Sequence, residues 1–164
     1  ISGPSALKKP ENVNIIKVES ADQMYAETKK ALPVDIAVCT AAITDFKPEK
    51  YETKKIKKDN LNINFKKNID ILEFLSKNNS QRPKLVIGFA AETNNLIRNA
   101  RKKLATKNCD WILANKIDAK NGIIGGENNS IKFIDKNCSE TWPMMTKKEI
   151  AQKLADKISG YFNH

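Results

Sequence analysis

Apolar positions recur along this chain with two periods. Residues 13–18 and 35–39 are short β-branched runs, and between them lies a segment with helical spacing. Ser20-Ala21-Asp22-Gln23 fits a capping box, Met24, Ala31 and Leu32 supply an inner helical face, and Pro33 ends the helix. Strand, helix and strand predict a right-handed parallel crossover, with 35–39 as a buried strand. Residues 61–65 alternate apolar and polar and predict a strand with one wet face, an arm or edge outside that rhythm. Asn68 is expected to cap a short helix carrying Ile69, Leu72 and Leu75, which Arg82-Pro83 breaks. Residues 84–90 read as a buried strand, and Thr93 or Asn94 as the cap of a helix to about Lys107 with Leu96, Ala100 and Leu104 inward. A further buried strand spans 110–115. Residues 130–134 and 139–142 form a strand pair joined by a turn at Lys136-Asn137. Thr146-Lys147-Lys148-Glu149 is a capping box for a last helix whose apolar face is Ile150, Leu154, Ile158 and Phe162. Strands alternating with helices argue for a doubly wound α/β layer fold.

Length and charge narrow the classes. A chain of 164 residues reads as one domain, 1–164, long enough to bury its own core. Cys39, Cys109 and Cys138 are odd in number and widely spaced, so they signal neither a disulfide framework nor a zinc site and favour a reducing, cytoplasmic setting. No apolar run approaches a membrane span, and no secretory signal is visible. The single histidine is the last residue, His164, which excludes nucleophilic catalysis built on a histidine within one chain. Of the +10 net charge, residues 45–68 contribute +4 and residues 94–109 contribute +5. If those segments meet, they make an anion site. Nucleic acid is the generic partner of a basic protein, but aromatics are only 7% and do not interleave with the lysines.

The candidate chemistry begins where residues 36–39 end in Thr40-Ala41-Ala42, followed by Asp45 and the run Lys54-Lys55-Ile56-Lys57-Lys58. Small residues at a strand's carboxyl end let a ligand approach the backbone, and ligands sit there in open α/β sheets. A carboxylate followed by several ammonium groups suits a polyphosphate and its metal ion; the same pattern also suits a strand end and a solvated charged loop. Cys39, Cys109 and Phe89 read as core or pocket-wall groups. Lys103 and Lys107 lie four apart on one helical face, and Asn115 sits at a strand tip, where it closes a turn or supports a substrate. The loop 122–129 is turn-rich but lacks the GxGxxG spacing of a dinucleotide site.

Ile1-Ser2-Gly3-Pro4, Ala41-Ala42-Ile43-Thr44-Asp45-Phe46, Lys55-Ile56-Lys57-Lys58, Asn68-Ile69-Asp70-Ile71-Leu72, Gly88-Phe89-Ala90-Ala91-Glu92-Thr93, Lys103 with Lys107, and the strand 110–115 together resemble the phosphopantothenate–cysteine ligase family, in its order and nearly its spacing. The resemblance implies a mostly parallel Rossmann-like sheet with helices on both faces and a small β arm or flap. It implies that 4′-phosphopantothenate attacks the α-phosphate of CTP to give an acyl-cytidylate, from which cysteine displaces CMP. Lys55 then matches the family's catalytic lysine. Cys39, Thr40, Ala41, Asp45, Ile69, Asp70, Ile71, Leu72, Phe89, Lys103 and Lys107 match its nucleotide site. Asp45 would act on the nucleotide directly or through Mg²⁺, and 57–60 resembles a flap that keeps water out. A homodimer and an upstream decarboxylase domain are also implied.

Two departures stand out. The family places Pro where this chain has Ile69, and its ligase domain begins upstream of Ile1 with a glycine-rich phosphate loop and an asparagine. This chain resembles the C-terminal two-thirds of that domain. A nucleotide-binding module without turnover and a basic nucleic-acid-binding protein are the alternatives in other classes.

Overall fold

The computed structural model describes residues 1–50, 62–77, 80–117 and 126–163. In chain order these form α1 (Ala21–Ala31), β1 (Ile36–Cys39), β2 (Phe46–Pro48), β3 (Phe65–Lys67), α2 (Ile71–Lys77), β4 (Leu85–Glu92), α3 (Leu96–Lys107), β5 (Trp111–Lys116), β6 (Asn128–Ile134), β7 (Ser139–Thr146) and α4 (Lys147–Phe162). Five strands make one sheet in the order β1-β4-β5-β6-β7, while β2 and β3 form a separate two-stranded arm. The pairings β1/β4 and β4/β5 are parallel, and β5/β6 and β6/β7 are antiparallel. This is the expected mixed, mostly parallel Rossmann-like sheet.

β4 and β5 explain why the sheet has two covered faces. Val86, Ala90, Ile112 and Ala114 point to one side, where they meet Ile71, Leu72 and Leu75 of α2 and Ala100 and Leu104 of α3. Their neighbours Leu85, Ile87, Trp111 and Leu113 point to the other, against Phe133, Trp142 and the α4 residues Ile150 and Leu154. A strand buried on both sides reads as a continuous apolar run, so 84–90 and 110–115 were legible. The last helix starts on the expected capping box: Thr146 Oγ1 accepts from the Glu149 amide at 3.2 Å, and Glu149 Oε2 accepts from the Thr146 amide at 2.7 Å.

Several local expectations change. Residues 13–18 are not a sheet strand; they make a single parallel bridge, Lys17 to Ser2, and leave Val13 and Ile16 exposed. Among the described residues β1 is the end strand of the sheet, paired with β4, and its residues alternate between exposed and half-buried rather than being buried. The parallel crossovers instead run from β1 to β4 and from β4 through α3 to β5. Ala31 is exposed and α1 has no buried residue, although Met24 and Leu32 pack against the core. Gln23 of the first capping box reaches back to the Glu19 amide, one residue before the cap. Phe162 lies 40% exposed at the end of α4. Of the expected strand 61–65, Leu61 lies outside the described residues, and the strand that forms is β3, an arm as anticipated. The loop 122–129 lies outside the described residues through 125.

Candidate functional site

The carboxyl end of β1 opens onto a cavity of about 420 Å³. One wall is β1 and the chain just after it, including Cys39, Thr40, Ala41 and Asp45. A second is the start of α2, with Ile69, Asp70, Ile71 and Leu72. Phe89 of β4 and Lys103 of α3 close the back, and Met24 and Thr28 of α1 complete the enclosure. Ten residues picked from the sequence for a nucleotide therefore share one cavity.

Backbone and side-chain hydrogen bonds hold these walls together. The Asn68 amide donates to the Asp45 carbonyl at 2.8 Å, and Asn68 Nδ2 donates to the Thr44 carbonyl at 2.7 Å. These bonds pin the loop after β1 to the start of α2 at the base of the β2–β3 arm. Lys47 of β2 adds an ion pair to Asp22 of α1. Asn68 is thus a loop tie rather than the expected helix cap. The capping role falls to Asp70, whose Oδ1 accepts from the Glu73 amide at 2.8 Å. With Nδ2 committed to a carbonyl, Asn68 Oδ1 is left buried with no partner among the described residues.

Gly88 sets how closely α2 approaches the sheet. A Cβ there would lie 2.6 Å from Leu72 Cδ2 and 2.9 Å from Ile112 Cδ1, so the missing side chain lets Leu72 lie on β4 and form the cavity wall. On α3 the expected caps Thr93 and Asn94 are displaced by Asn95, which adopts φ 51° with no side-chain cap bond; asparagine tolerates this left-handed geometry. The register that follows aims Lys103 at the sheet, where Nζ donates to the Phe89 carbonyl at 2.8 Å. That bond spans β4 and α3 at the back of the cavity.

Lys107, one turn further, does not line the cavity. Its ammonium lies 2.8 Å from Asp70 Oδ2 and 3.1 Å from Glu73 Oε2. The hydrogen bond to Asp70, followed by that to Glu73, outweighs burial and holds the Lys107 pKa above its ordinary value. Asn115 sits half-buried near the tip of β5, opposite Ala91, outside the cavity lining. Lys55 and the flap 57–60 lie outside the described residues.

Burial pushes the Cys39 thiol up to about 11; Asp70 reinforces the shift and Lys103 opposes it. Cys109, fully buried, is pushed up to about 12, again mainly by burial. Both are protonated wall or core groups at neutral pH, as the sequence suggested, and neither is an activated nucleophile. No group of three or more metal-ligating side chains occurs among the described residues. An ion carried chiefly by a ligand's phosphates needs only one or two protein carboxylates, and Asp45 supplies one at the cavity.

The sequence reading missed Met24, Thr28, Thr44 and Asn68. Met24 and Thr28 are four apart and share a helical face, but the sequence reading placed Met24 on the inner face of the helix and did not single out Thr28. Thr44 and Asn68 meet only because the arm folds back, which no local pattern reports.

Known proteins of related sequence or structure agree with this fold. The Coenzyme A biosynthesis bifunctional protein CoaBC of Borreliella burgdorferi is 38% identical over 159 residues, covering 94% of this chain and 40% of that protein. The Vibrio vulnificus protein of the same name is 32% identical over 169 residues, covering all of this chain and 42% of its own length. The chain thus spans about two fifths of the length of these curated relatives. A crystal structure of the C-terminal domain of a CoaBC protein superposes with a TM-score of 0.78 at 31% identity, covering 98% of this chain and 72% of that one. With residues 1–161 matching its pattern, the chain belongs to the DNA/pantothenate metabolism flavoprotein C-terminal domain family.

Proposed function

We propose that this chain is the nucleotide-binding part of a coenzyme A biosynthesis ligase that joins 4′-phosphopantothenate to cysteine through an acyl-cytidylate. The observation that carries the reading is the cavity at the carboxyl end of β1, which gathers from four elements the residues that the ligase resemblance assigns to CTP. The names of the relatives support the pathway, and their bifunctional description supports an upstream decarboxylase domain in the same polypeptide.

In this reading Lys103 presents a fixed cation at the back of the cavity, and Lys55 neutralises charge developing on the phosphates. Asp45 would hold a nucleotide-bound Mg²⁺, which would supply charge neutralisation at the phosphates. The substrate carboxylate forms a bond to the α-phosphorus and the bond to pyrophosphate breaks. The cysteine amine then attacks the acyl carbon, loses a proton and expels CMP, leaving the amide. Thr40 and Ala41 let the ligand lie against the backbone, and Asn115 supports the strand end beside it. The β2–β3 arm, with Phe46 at 55% and Phe65 at 62% exposure, serves as the contact of a homodimer in a cytoplasmic setting.

The test uses a polypeptide carrying this chain together with the upstream sequence its relatives have. It should consume CTP only with Mg²⁺, 4′-phosphopantothenate and cysteine, releasing equal CMP and product. CTP binding without turnover would reduce the reading to a nucleotide-binding module. Steeply salt-dependent binding to duplex DNA of any sequence, with no CTP binding, would replace it with the nucleic-acid alternative. Lys55→Ala should cost on the order of 10²-fold or more in acyl-cytidylate formation. Lys57→Ala and Lys58→Ala should cost much less. Equal losses at all three would mean a diffuse charge effect.

A further inference from the structure

We propose that Glu73 is an affinity-setting residue of the cavity, a counter-ion that neutralises Lys107 and so weakens the attraction that Lys107 exerts on a ligand's phosphates. The proposal rests on the nucleotide reading above. Four charged side chains at the junction of α2 and α3 form one array. Lys107 Nζ bridges Asp70 at 2.8 Å and Glu73 at 3.1 Å, and the other Glu73 oxygen meets Lys77 Nζ at 2.5 Å. Two ammonium groups and two carboxylates leave the array without net charge.

Asp70 is the member that faces the cavity. It is also fixed twice, by the Glu73 amide at Oδ1 and by Lys107 at Oδ2. A ligand phosphate arriving beside Asp70 meets a carboxylate whose neutralising cation is shared with Glu73. Lys107 has three N–H donors, and the two ion pairs leave one of them for the ligand. The geometry therefore keeps Lys107 within one hydrogen bond of the cavity wall while Glu73 cancels part of its field. Glu73 itself is a third exposed and lies outside the main cavity's lining, so its charge is not needed to form the walls. Its carboxyl sits below the usual carboxylate range through hydrogen bonds from Lys77 and then Lys107, and it is ionised at neutral pH.

The experiment measures Mg-CTP binding by calorimetry in the parent polypeptide, Glu73→Gln, Lys107→Ala and the double variant, at low and high salt. Glu73→Gln should tighten binding about two- to fivefold, the range of an exposed ion pair. The gain should at least halve in the Lys107→Ala background, because Glu73 then pairs with Lys77, which does not contact the cavity-facing Asp70 or line the main cavity. It should also shrink towards unity at about 0.3 M salt. Glutamine keeps the shape of the residue, and thermal melting of each variant reports folding independently. Unchanged or weaker binding in a folded Glu73→Gln protein would overturn the proposal, as would an equal gain with and without Lys107. A parent protein that binds no CTP would instead overturn the nucleotide reading and this inference with it.

Discussion

Lys103 was one of two lysines that the sequence placed on a common helical face, and packing separated their tasks. Its ammonium is held by the Phe89 carbonyl inside the cavity, whereas that of Lys107 is occupied by Asp70 and Glu73. Replacing Lys103 with Met should weaken CTP binding about 10- to 100-fold, since hydrogen bonds to charged groups contribute about 1.5–3 kcal/mol. Calorimetry giving less than a twofold change would remove Lys103 from the site. The thiols make a prediction about stability. Cys109 is raised in the folded state from 9.0 to about 12, so above pH 9 the unfolded chain holds fewer protons than the folded one. Stability must then fall as pH rises between those values, with a limiting slope of about 1.4 kcal/mol per pH unit for one thiol. Denaturant titrations from pH 8 to pH 11 should show a shallower decline for Cys109→Ala than for the parent, whatever the offset from lost packing. Parallel curves would contradict the assignment.

Elements with strong local signals formed where expected, and those whose status depends on neighbours did not. The last helix carries its own start signal in Thr146 and Glu149. Thr146→Ala should cost about 1 kcal/mol in chemical denaturation, as removal of an N-cap does; no loss would mean that α4 is held by packing alone. Gly88→Ala tests an element contact that the sequence did not disclose. The added methyl would collide with Leu72 and Ile112, and overpacking of this kind costs about 1–3 kcal/mol. Because Leu72 lines the cavity, the variant should also weaken ligand binding. A stability loss with unchanged affinity would uncouple the strand from the site. The run 13–18 shows the opposite case: among the described residues its β-branched positions make one bridge to Ser2 rather than a sheet strand.

At the scale of the whole molecule the charge segments and the arm decide behaviour. The basic segment 94–109 folds into α3, whose lysines at 103 and 107 face the cavity wall and α2, so part of the +10 charge is directed inward rather than spread over a surface. The β2–β3 arm projects Phe46 and Phe65 with no sheet beyond it among the described residues. A two-stranded arm with free outer edges and exposed aromatics tends to seek a partner. Sedimentation of the parent polypeptide at about tens of micromolar, where obligate dimers persist, should show a dimer. The double variant Phe46→Ser, Phe65→Ser should shift it towards monomer. A monomeric parent, or a dimer indifferent to both changes, would exclude the arm as the interface.

The sequence by itself determined the class of fold, both central strands and the final helix, because these rest on periodicity and caps within a few residues of one another. Asp45 and Lys103 stood out from local pattern and Phe89 as a core or pocket-wall group, whereas Asp70, and the assignment of all four to a nucleotide, rested on the resemblance of short motifs to the ligase family. Only the tertiary structure decided that Asn68 ties the loop after β1 at Thr44, that Asp70 rather than Asn68 caps α2, and that Lys107 is held by two carboxylates. The first and last of these depend on a side chain finding a partner more than twenty residues away, Asn68 at Thr44 and Lys107 at Asp70 and Glu73. A cap, a loop tie and a counter-ion use the same residue types, and it is the distant partner's position that chooses among them.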